Sequence, residues 1–109
     1  MRDWRGQAQA MKNTEIAAVF DDIADLLERK KENIFKIRAY QKVARSIEQL
    51  PVDVEQLVAE GRLKEIPGVG EAITGKIIEM VTTGKLDYYE KLKAEFSEGT
   101  QPAQGQDTG

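Results

Sequence analysis

A proline and two glycines separate two apolar, helix-like stretches in the segment LKEIPGVGEAITGKI, at residues 63–77. Pro67 disfavours helical geometry at Ile66 and ends the helix that precedes it. Gly68 and Gly70 permit either a positive φ or a close approach of other atoms to the backbone. The segment therefore predicts a helical piece at residues 63–66, a tight turn at 67–70 and a second helix at 71–83.

This arrangement is a helix-hairpin-helix, and its turn is suited to bind an anion. Reversal within so few residues leaves the first amides of the second helix unpaired and directed outward, where the helix dipole adds partial positive charge. Val69 is expected to turn inward and hold the two helices together. The predicted phosphate contacts are Gly68, Val69, Gly70 and Glu71, and contacts to the nucleic-acid backbone carry no sequence code. A plain corner between two helices explains the same turn equally well.

Two nucleotide-binding motifs overlap the turn, and both are incomplete. The run GEAITGK at residues 70–76 has most of a P-loop, but Ile77 stands where Ser or Thr would hold magnesium. Gly68 and Gly70 begin a dinucleotide fingerprint, but Ile73 stands where its third glycine belongs. No predicted strand precedes the turn, so neither interpretation is supported.

Helical periodicity recurs along the rest of the chain, and no stretch alternates with period two. Asn13 is suited to cap a first helix, and Pro51 ends a second helix that begins near Phe35. Asp53 with Gln56 has the form of a capping box that opens a short third helix. The expected core residues are Ile16, Val19, Phe20, Ile23, Leu26 and Leu27 in the first helix and Tyr40, Val43, Ala44 and Ile47 in the second.

These patterns predict an all-α fold, a compact bundle of four to five short helices that contains one helix-hairpin-helix. The folded domain is expected at residues 13–96, and its last helical segment at 87–96. Residues 1–12 have no periodicity and are expected to form a flexible leader. Residues 97–109 contain no large apolar side chain, which predicts a disordered tail.

Composition excludes several classes of chemistry. The chain has no Cys and no His, so disulfides, thiolate nucleophiles and the commonest metal ligand are absent. No apolar run approaches the roughly 20 residues that span a bilayer, which predicts a cytoplasmic protein without membrane contacts. The net charge is -3, but the first helix is acidic and the second is basic. The acids are Glu15, Asp21, Asp22, Asp25 and Glu28, and the cations of the second helix are Lys36, Arg38, Lys42 and Arg45.

A few side chains are candidates for chemistry or for phosphate binding. Lys76 borders the apolar stripe of the second hairpin helix, where lost solvation favours the neutral amine that forms a Schiff base with an aldehyde. The alternative is a solvated lysine whose aliphatic chain lies along the protein surface while its ammonium group stays in water or pairs with an acid. Lys36 and Tyr40 stand one helical turn apart and suit a terminal phosphate, although Tyr40 is equally an ordinary aromatic at the core edge. A cationic stripe on the same helix, made of Arg38, Lys42 and Arg45, is a binding surface only if it lies beside the hairpin.

Three stretches together resemble the amino-terminal, lyase-type domain of bacterial family X DNA polymerases, the homologue of that domain in DNA polymerase beta. They are NTEIAAVFDDIADLL, FKIRAYQKVARSIEQLP and LKEIPGVGEAITGKIIEMVTTGKLDYYEKL, and the resemblance covers about residues 12–95. It implies a compact four-helix domain with one short extra segment. It also implies binding to gapped or nicked DNA through the hairpin and engagement of a 5′-phosphate.

The resemblance implies roles for individual residues. Lys76 matches the lysine that attacks the sugar aldehyde at an abasic 5′ end in the eukaryotic relatives. Lys36 and Tyr40 match residues that line the phosphate pocket. No cofactor is required, but the hairpin carbonyls of the family often hold a sodium or potassium ion. The matching carbonyls here belong to Lys64, Ile66 and Val69.

The chain departs from the family at two pocket positions and beyond the fifth helix. Ala72 and Tyr88 replace two lysines of the beta-type enzymes, which lowers the expectation of lyase activity. The polymerases continue into a nucleotidyltransferase domain, whereas this chain ends in a polar tail, so we expect no polymerase activity from a fragment or a free-standing domain. The cations that are candidates to compensate in the pocket are Arg38, Arg45 and Lys85.

The sequence leaves three functions open. The first is a monomeric DNA-binding module that recognises the backbone of gapped, nicked or 5′-phosphate-ended DNA during repair, with or without a repair-protein partner. The second is a 5′-deoxyribose phosphate or abasic-site lyase in which Lys76 forms the Schiff base. The third is a protein-interaction adaptor without DNA affinity, which the acidic first helix makes credible.

Overall fold

Five α-helices and one 3₁₀ turn follow one another in a computed structural model that describes residues 11–100 of the chain. No strand lies within those residues, and the predicted all-α fold is confirmed. None of the helices in this part of the chain is both long and apolar enough to cross a membrane. The helices are α1 (Asn13–Arg29), α2 (Ile34–Glu48), α3 (Val54–Glu60), α4 (Glu71–Thr83) and α5 (Asp87–Thr100), and the 3₁₀ turn is Leu63–Glu65.

The core lies mainly between α1 and α2, which pack along each other. Phe20 of α1 is fully buried, and its ring stacks on that of Tyr40 in α2 with the ring centroids 5.9 Å apart. Ala17 and Ala24 join the buried face of α1, where their small side chains let the two helices approach closely. The predicted core residues are buried, except that Val19 is half-buried. The hairpin, α4 and α5 close the core with Ile66, Val69, Ile77, Met80, Leu86 and Leu92.

Asn13 does not cap α1, contrary to the prediction. Lys12 occupies the N-cap position, and the Asn13 side chain reaches α3 instead. Its Nδ2 donates to the carbonyl of Val52 at 2.8 Å, and its Oδ1 accepts from the N–H of Val54 at 2.9 Å. The side chain of Asp53 makes no capping bond, so the predicted capping box is wrong. The carboxamide of Asn13 can donate one hydrogen bond and accept another, which a carboxylate cannot, so Asn13 suits both the carbonyl of Val52 and the N–H of Val54.

Both ends of the folded part differ from the predicted boundaries. Met11 is half-buried against the core and Lys12 is the N-cap of α1, so the fold starts before residue 13. Residues 1–10 of the predicted leader lie outside the described residues. Helix α5 continues to Thr100 rather than ending at Phe96. Residues 101–109 of the predicted tail also lie outside the described residues.

Candidate nucleic-acid interface

The turn before α4 is closed by one backbone hydrogen bond, in which the N–H of Val69 donates to the carbonyl of Ile66 at 3.0 Å. Gly68 has a φ of 91°, a conformation that L side chains rarely adopt, so the backbone requires glycine there. Gly70 is extended, with φ -103° and ψ -162°, and its backbone would accept any residue. The first helical piece is the 3₁₀ turn Leu63–Glu65 rather than a turn of α-helix, because too few residues precede the proline.

The turn rests against α2. Val69 points into the core as predicted, with 7% of its surface exposed. A Cβ added to Gly68 would lie 3.4 Å from Cγ and Cδ of Lys42 and 3.4 Å from Cγ2 of Val43. The aliphatic part of the Lys42 side chain, here called its stem, therefore passes directly beside the turn. The cationic stripe of α2 therefore lies beside the hairpin, which is the position that a role in binding requires.

The amino-terminal end of α4 is open to solvent. Gly70 occupies the N-cap without a side-chain capping bond, and the first helical bond runs from the N–H of Thr74 to the carbonyl of Gly70, at 2.9 Å. The amides that precede Thr74 have no partner within the helix. Gly70, Glu71 and Ala72 are exposed, and a Cβ added to Gly70 would meet nothing within 4 Å. A phosphate oxygen can approach these amides closely.

The three carbonyls assigned to a monovalent cation lie on this turn. The carbonyl of Ile66 accepts the bond from Val69 described above and retains a second lone pair. Among the described residues, the carbonyls of Lys64 and Val69 accept no hydrogen bond. Oxygen donors of this kind suit a hard cation. The residues present therefore fit the group. Among residues 11–100, no group of three or more His, Cys, Asp or Glu side chains is placed to hold a metal ion.

The predicted cations of α2 are exposed and unpaired within the described structure. Arg38, Lys42 and Arg45 lie on the solvent side of the helix, and Lys36 is exposed near its start. None of the four forms an ion pair with another described residue. At a rise of about 1.5 Å per residue, Arg38 and Arg45 stand about 10 Å apart along the helix axis. The stripe is therefore free to face several phosphates.

Arg62 is a further cation close to the hairpin, but its charge is already compensated. It forms ion pairs with Glu60 at 2.7 Å and with Glu65 at 2.9 Å. The Arg62 guanidinium lowers the pKa of Glu65, first through its hydrogen bonds and then through its charge. A phosphate would have to compete with two carboxylates for this side chain, so we do not count Arg62 in the interface.

Lys85 is exposed at the opposite end of α4 from the turn. A helix of this length places it about 20 Å from Gly70. The structure therefore does not bring Lys85 to the hairpin. If Lys85 binds a phosphate, that phosphate is not the one at the hairpin amides.

Lys76 lies at the end of a column of aromatic rings. Its Nζ is 4.8 Å from the centroid of the Tyr88 ring, and it is half-buried, as expected for a residue at the core edge. Tyr88 stacks on Tyr40 with 6.3 Å between centroids and 12° between planes, and Tyr40 in turn stacks on Phe20. Only 5% of Tyr40 is exposed. Burial and the neighbouring phenol of Tyr88 raise the pKa of Tyr40 well above its usual range, so it remains neutral.

Sequence reasoning missed two features of this surface. Lys42 is identified in the sequence only as one member of a stripe, whereas it is the member that packs beside the turn. Tyr88 is noted only for replacing a lysine, whereas its ring contacts the predicted nucleophile Lys76. No local pattern indicates either contact, because each joins two different structural elements and depends on how they pack.

Comparisons with known proteins find a matching domain family and a similar curated protein. The helix-hairpin-helix domain family matches residues 11–86. The chain is also 30% identical over 92 residues to the DNA polymerase/3′-5′ exonuclease PolX of Bacillus subtilis (strain 168). That alignment covers 84% of this chain and 16% of the Bacillus protein, so the chain spans a small part of that relative's length.

Proposed function

Because the chain belongs to the helix-hairpin-helix domain family and is similar to part of a family X polymerase, we propose that it binds DNA. The targets are backbone phosphates at gaps, nicks or 5′-phosphate ends, in DNA repair. The observation that carries this proposal is the packing of the Lys42 stem beside Gly68. It joins the open amides of α4 and the basic stripe of α2 into one surface.

Each part of that surface has a distinct task in the proposed complex. The amides of Gly70 and Glu71 donate to one phosphate at the positive end of the α4 dipole. A sodium or potassium ion on the carbonyls of Lys64, Ile66 and Val69 would supply further positive charge at the turn. The stripe is about 10 Å long, and phosphates of one strand repeat about every 3.4 Å along the duplex axis. It therefore matches about three consecutive phosphates.

The test is a fluorescence anisotropy titration of gapped DNA carrying a 5′-phosphate, at salt concentrations from 50 to 200 mM. If three to five phosphates are neutralised, the slope of log affinity against log salt lies near -2 to -4. Lys42→Ala reduces the magnitude of the slope by about 0.7 to 0.9. Gly70→Val keeps an allowed backbone but obstructs the amides, and weakens binding about tenfold or more.

Lys91→Ala is the matched control, since Lys91 is an exposed lysine on α5 that pairs with Asp87. It is expected to leave both the affinity and the slope unchanged. An equal loss in Lys91→Ala and Lys42→Ala would contradict the proposed surface. The adaptor function would be favoured if gapped, nicked and single-stranded DNA all failed to bind at 50 mM salt.

A further inference from the structure

The aromatic column joins four helices and ends at the candidate nucleophile. Phe20 from α1 is fully buried, Tyr40 from α2 lies above it, and Tyr88 from α5 follows. Lys76 from α4 places its ammonium 4.8 Å from the centroid of the last ring. Tyr40 is held in the core and its ring is nearly parallel to that of Tyr88, so it supports the Tyr88 ring.

The contact between Lys76 and Tyr88 holds the charged end of the lysine in place. The face of an aromatic ring carries partial negative charge and attracts a cation within about 6 Å of its centroid. Nζ of Lys76 lies 4.8 Å from the centroid, within that range. Nζ must leave this position before it can react with another group.

We propose that Tyr88 is a positioning residue that holds the charged end of Lys76 over its ring, making it a fixed cation for a DNA phosphate and a slow Schiff-base nucleophile. The role toward phosphate rests on the DNA binding proposed above. The reduced reactivity toward aldehydes depends only on the contact between Lys76 and Tyr88. The two parts can therefore be tested separately.

The chemistry of Schiff-base formation explains why the contact lowers reactivity. The ammonium must first give a proton to water, and the free lone pair of Nζ then attacks the carbonyl carbon. The carbinolamine that forms loses water to give an imine, and borohydride adds hydride to the carbon of its protonated form. Because Nζ must also give up its contact with the ring before it attacks, the overall addition is slowed by about 2- to 30-fold.

The experiment uses pyridoxal 5′-phosphate, an aldehyde that carries a phosphate, followed by borohydride and mass spectrometry of each labelled lysine. Tyr88→Leu removes the ring and is expected to raise labelling of Lys76 about 2- to 30-fold relative to exposed Lys91. Tyr88→Phe retains the ring face and is expected to stay near the wild-type value. Equal Lys76 labelling in wild type and Tyr88→Leu would overturn the proposal.

Tyr89→Leu controls for general loosening of α5. Tyr89 is the next residue of the helix, and Nζ of Lys93 lies 4.4 Å from its ring centroid. This variant is expected to raise labelling of Lys93 and not that of Lys76. If Tyr89→Leu increased Lys76 labelling as much as Tyr88→Leu did, the effect would come from the helix and the proposed role of Tyr88 would be wrong.

The same variants separate this inference from the proposed function. In anisotropy titrations, Tyr88→Leu is expected to reduce the preference for 5′-phosphate over 5′-hydroxyl gapped DNA, whereas Tyr88→Phe retains it. An unchanged preference in Tyr88→Leu would contradict the phosphate role of Lys76. Complete absence of DNA binding by the wild type would contradict the proposed function, while the labelling result would still decide the reactivity of Lys76.

Discussion

Asn13 connects two helices through both ends of one carboxamide. Its partners, Val52 and Val54, are 39 and 41 residues away in the chain, and both bonds are partly buried. The N–H of Val54 belongs to the first turn of α3, where the helix provides no acceptor. Asn13 therefore serves as a cap for a helix other than its own.

Replacement of Asn13 tests this connection. Asn13→Ala leaves a partly buried N–H and a carbonyl unpaired, and is expected to lower the free energy of unfolding by about 1–2 kcal/mol. Asp53→Ala is the control, because the Asp53 side chain makes no capping bond and its loss should cost little. Urea denaturation followed by circular dichroism measures both. A cost for Asp53→Ala as large as that for Asn13→Ala would contradict the assignment.

Gly68 and Asn13 show which roles of single residues can be predicted from the sequence. A glycine in this turn was predictable, because a type II turn with proline at its second position has a positive φ at its third, which is where Gly68 lies. The role of Asn13 was not predictable, because the local sequence makes it an ordinary N-cap for α1. Its actual partners are fixed by how α1 and α3 pack, which no short-range pattern records.

At the scale of the element, α5 attaches to α1 through both polar and apolar contacts. The hydroxyl of Tyr89 donates to the Asp22 carboxylate, and Lys30 pairs with Glu95 at 2.9 Å. Leu92 from the same helix is 3% exposed within the core. The ion pair is accessible to water, with 54% of the Glu95 side chain exposed. Exposed ion pairs contribute little, so the leucine should dominate the attachment.

Single substitutions in α5 rank these contributions. Leu92→Ala removes buried apolar atoms and leaves a cavity, and is expected to cost about 2–4 kcal/mol of unfolding free energy. Glu95→Ala breaks only the exposed pair and should cost about 0–1 kcal/mol. Urea titrations give the totals, and amide hydrogen exchange shows whether α5 opens first. A larger cost for Glu95→Ala than for Leu92→Ala would contradict this ranking.

The helices themselves were well predicted where one face packs on a partner along its whole length. The stripes of α1 and α2 follow from periodicity alone, since each spans several turns against the other. Short elements were less predictable. The 3₁₀ turn has three residues, which is too few for a helical period to be visible in the sequence.

Across the whole molecule, an acidic region and a basic region lie side by side. An acidic hollow is lined by Asp21, Asp22 and Asp25 of α1 and by Gln41 of α2. Around the axis of α2, Gln41 is about 100° from Lys42 but only about 40° from Arg45 and about 60° from Arg38. The hollow therefore borders one edge of the cationic stripe, and the net charge of -3 averages over both regions.

This proximity predicts a salt-dependent influence of the acidic hollow on DNA binding. Charges exposed to solvent act over about one Debye length, which is about 10 Å at 0.1 M salt. The double variant Asp21→Asn/Asp25→Asn spares Asp22, which binds Tyr89. We expect it to raise DNA affinity about two- to fivefold at 20 mM salt and hardly at all at 200 mM. A gain that persisted at 200 mM would mean that DNA contacts the acidic side.

At the scale of the whole molecule, the all-α fold class was predictable from the helical periodicity that recurs along the chain. The hairpin was predictable from the proline and glycines of its turn. The surface that combines the open amides of α4 with the cationic stripe was not predictable, since it depends on which side of α2 the turn packs against. That choice follows from the fit of Gly68 against Lys42 and Val43, a contact between segments 25 or more residues apart.

One turn of α2, residues 40–43, faces four different surroundings in succession. Tyr40 joins the aromatic column, Gln41 borders the acidic hollow, Lys42 borders the hairpin and Val43 fills the core. Inserting a single residue upstream within α2 would rotate all four by about 100° and exchange their neighbours. Insertions and deletions are therefore compatible with this domain only between helices, and the length of α2 up to Tyr40 is as much a part of the binding surface as any lysine on it.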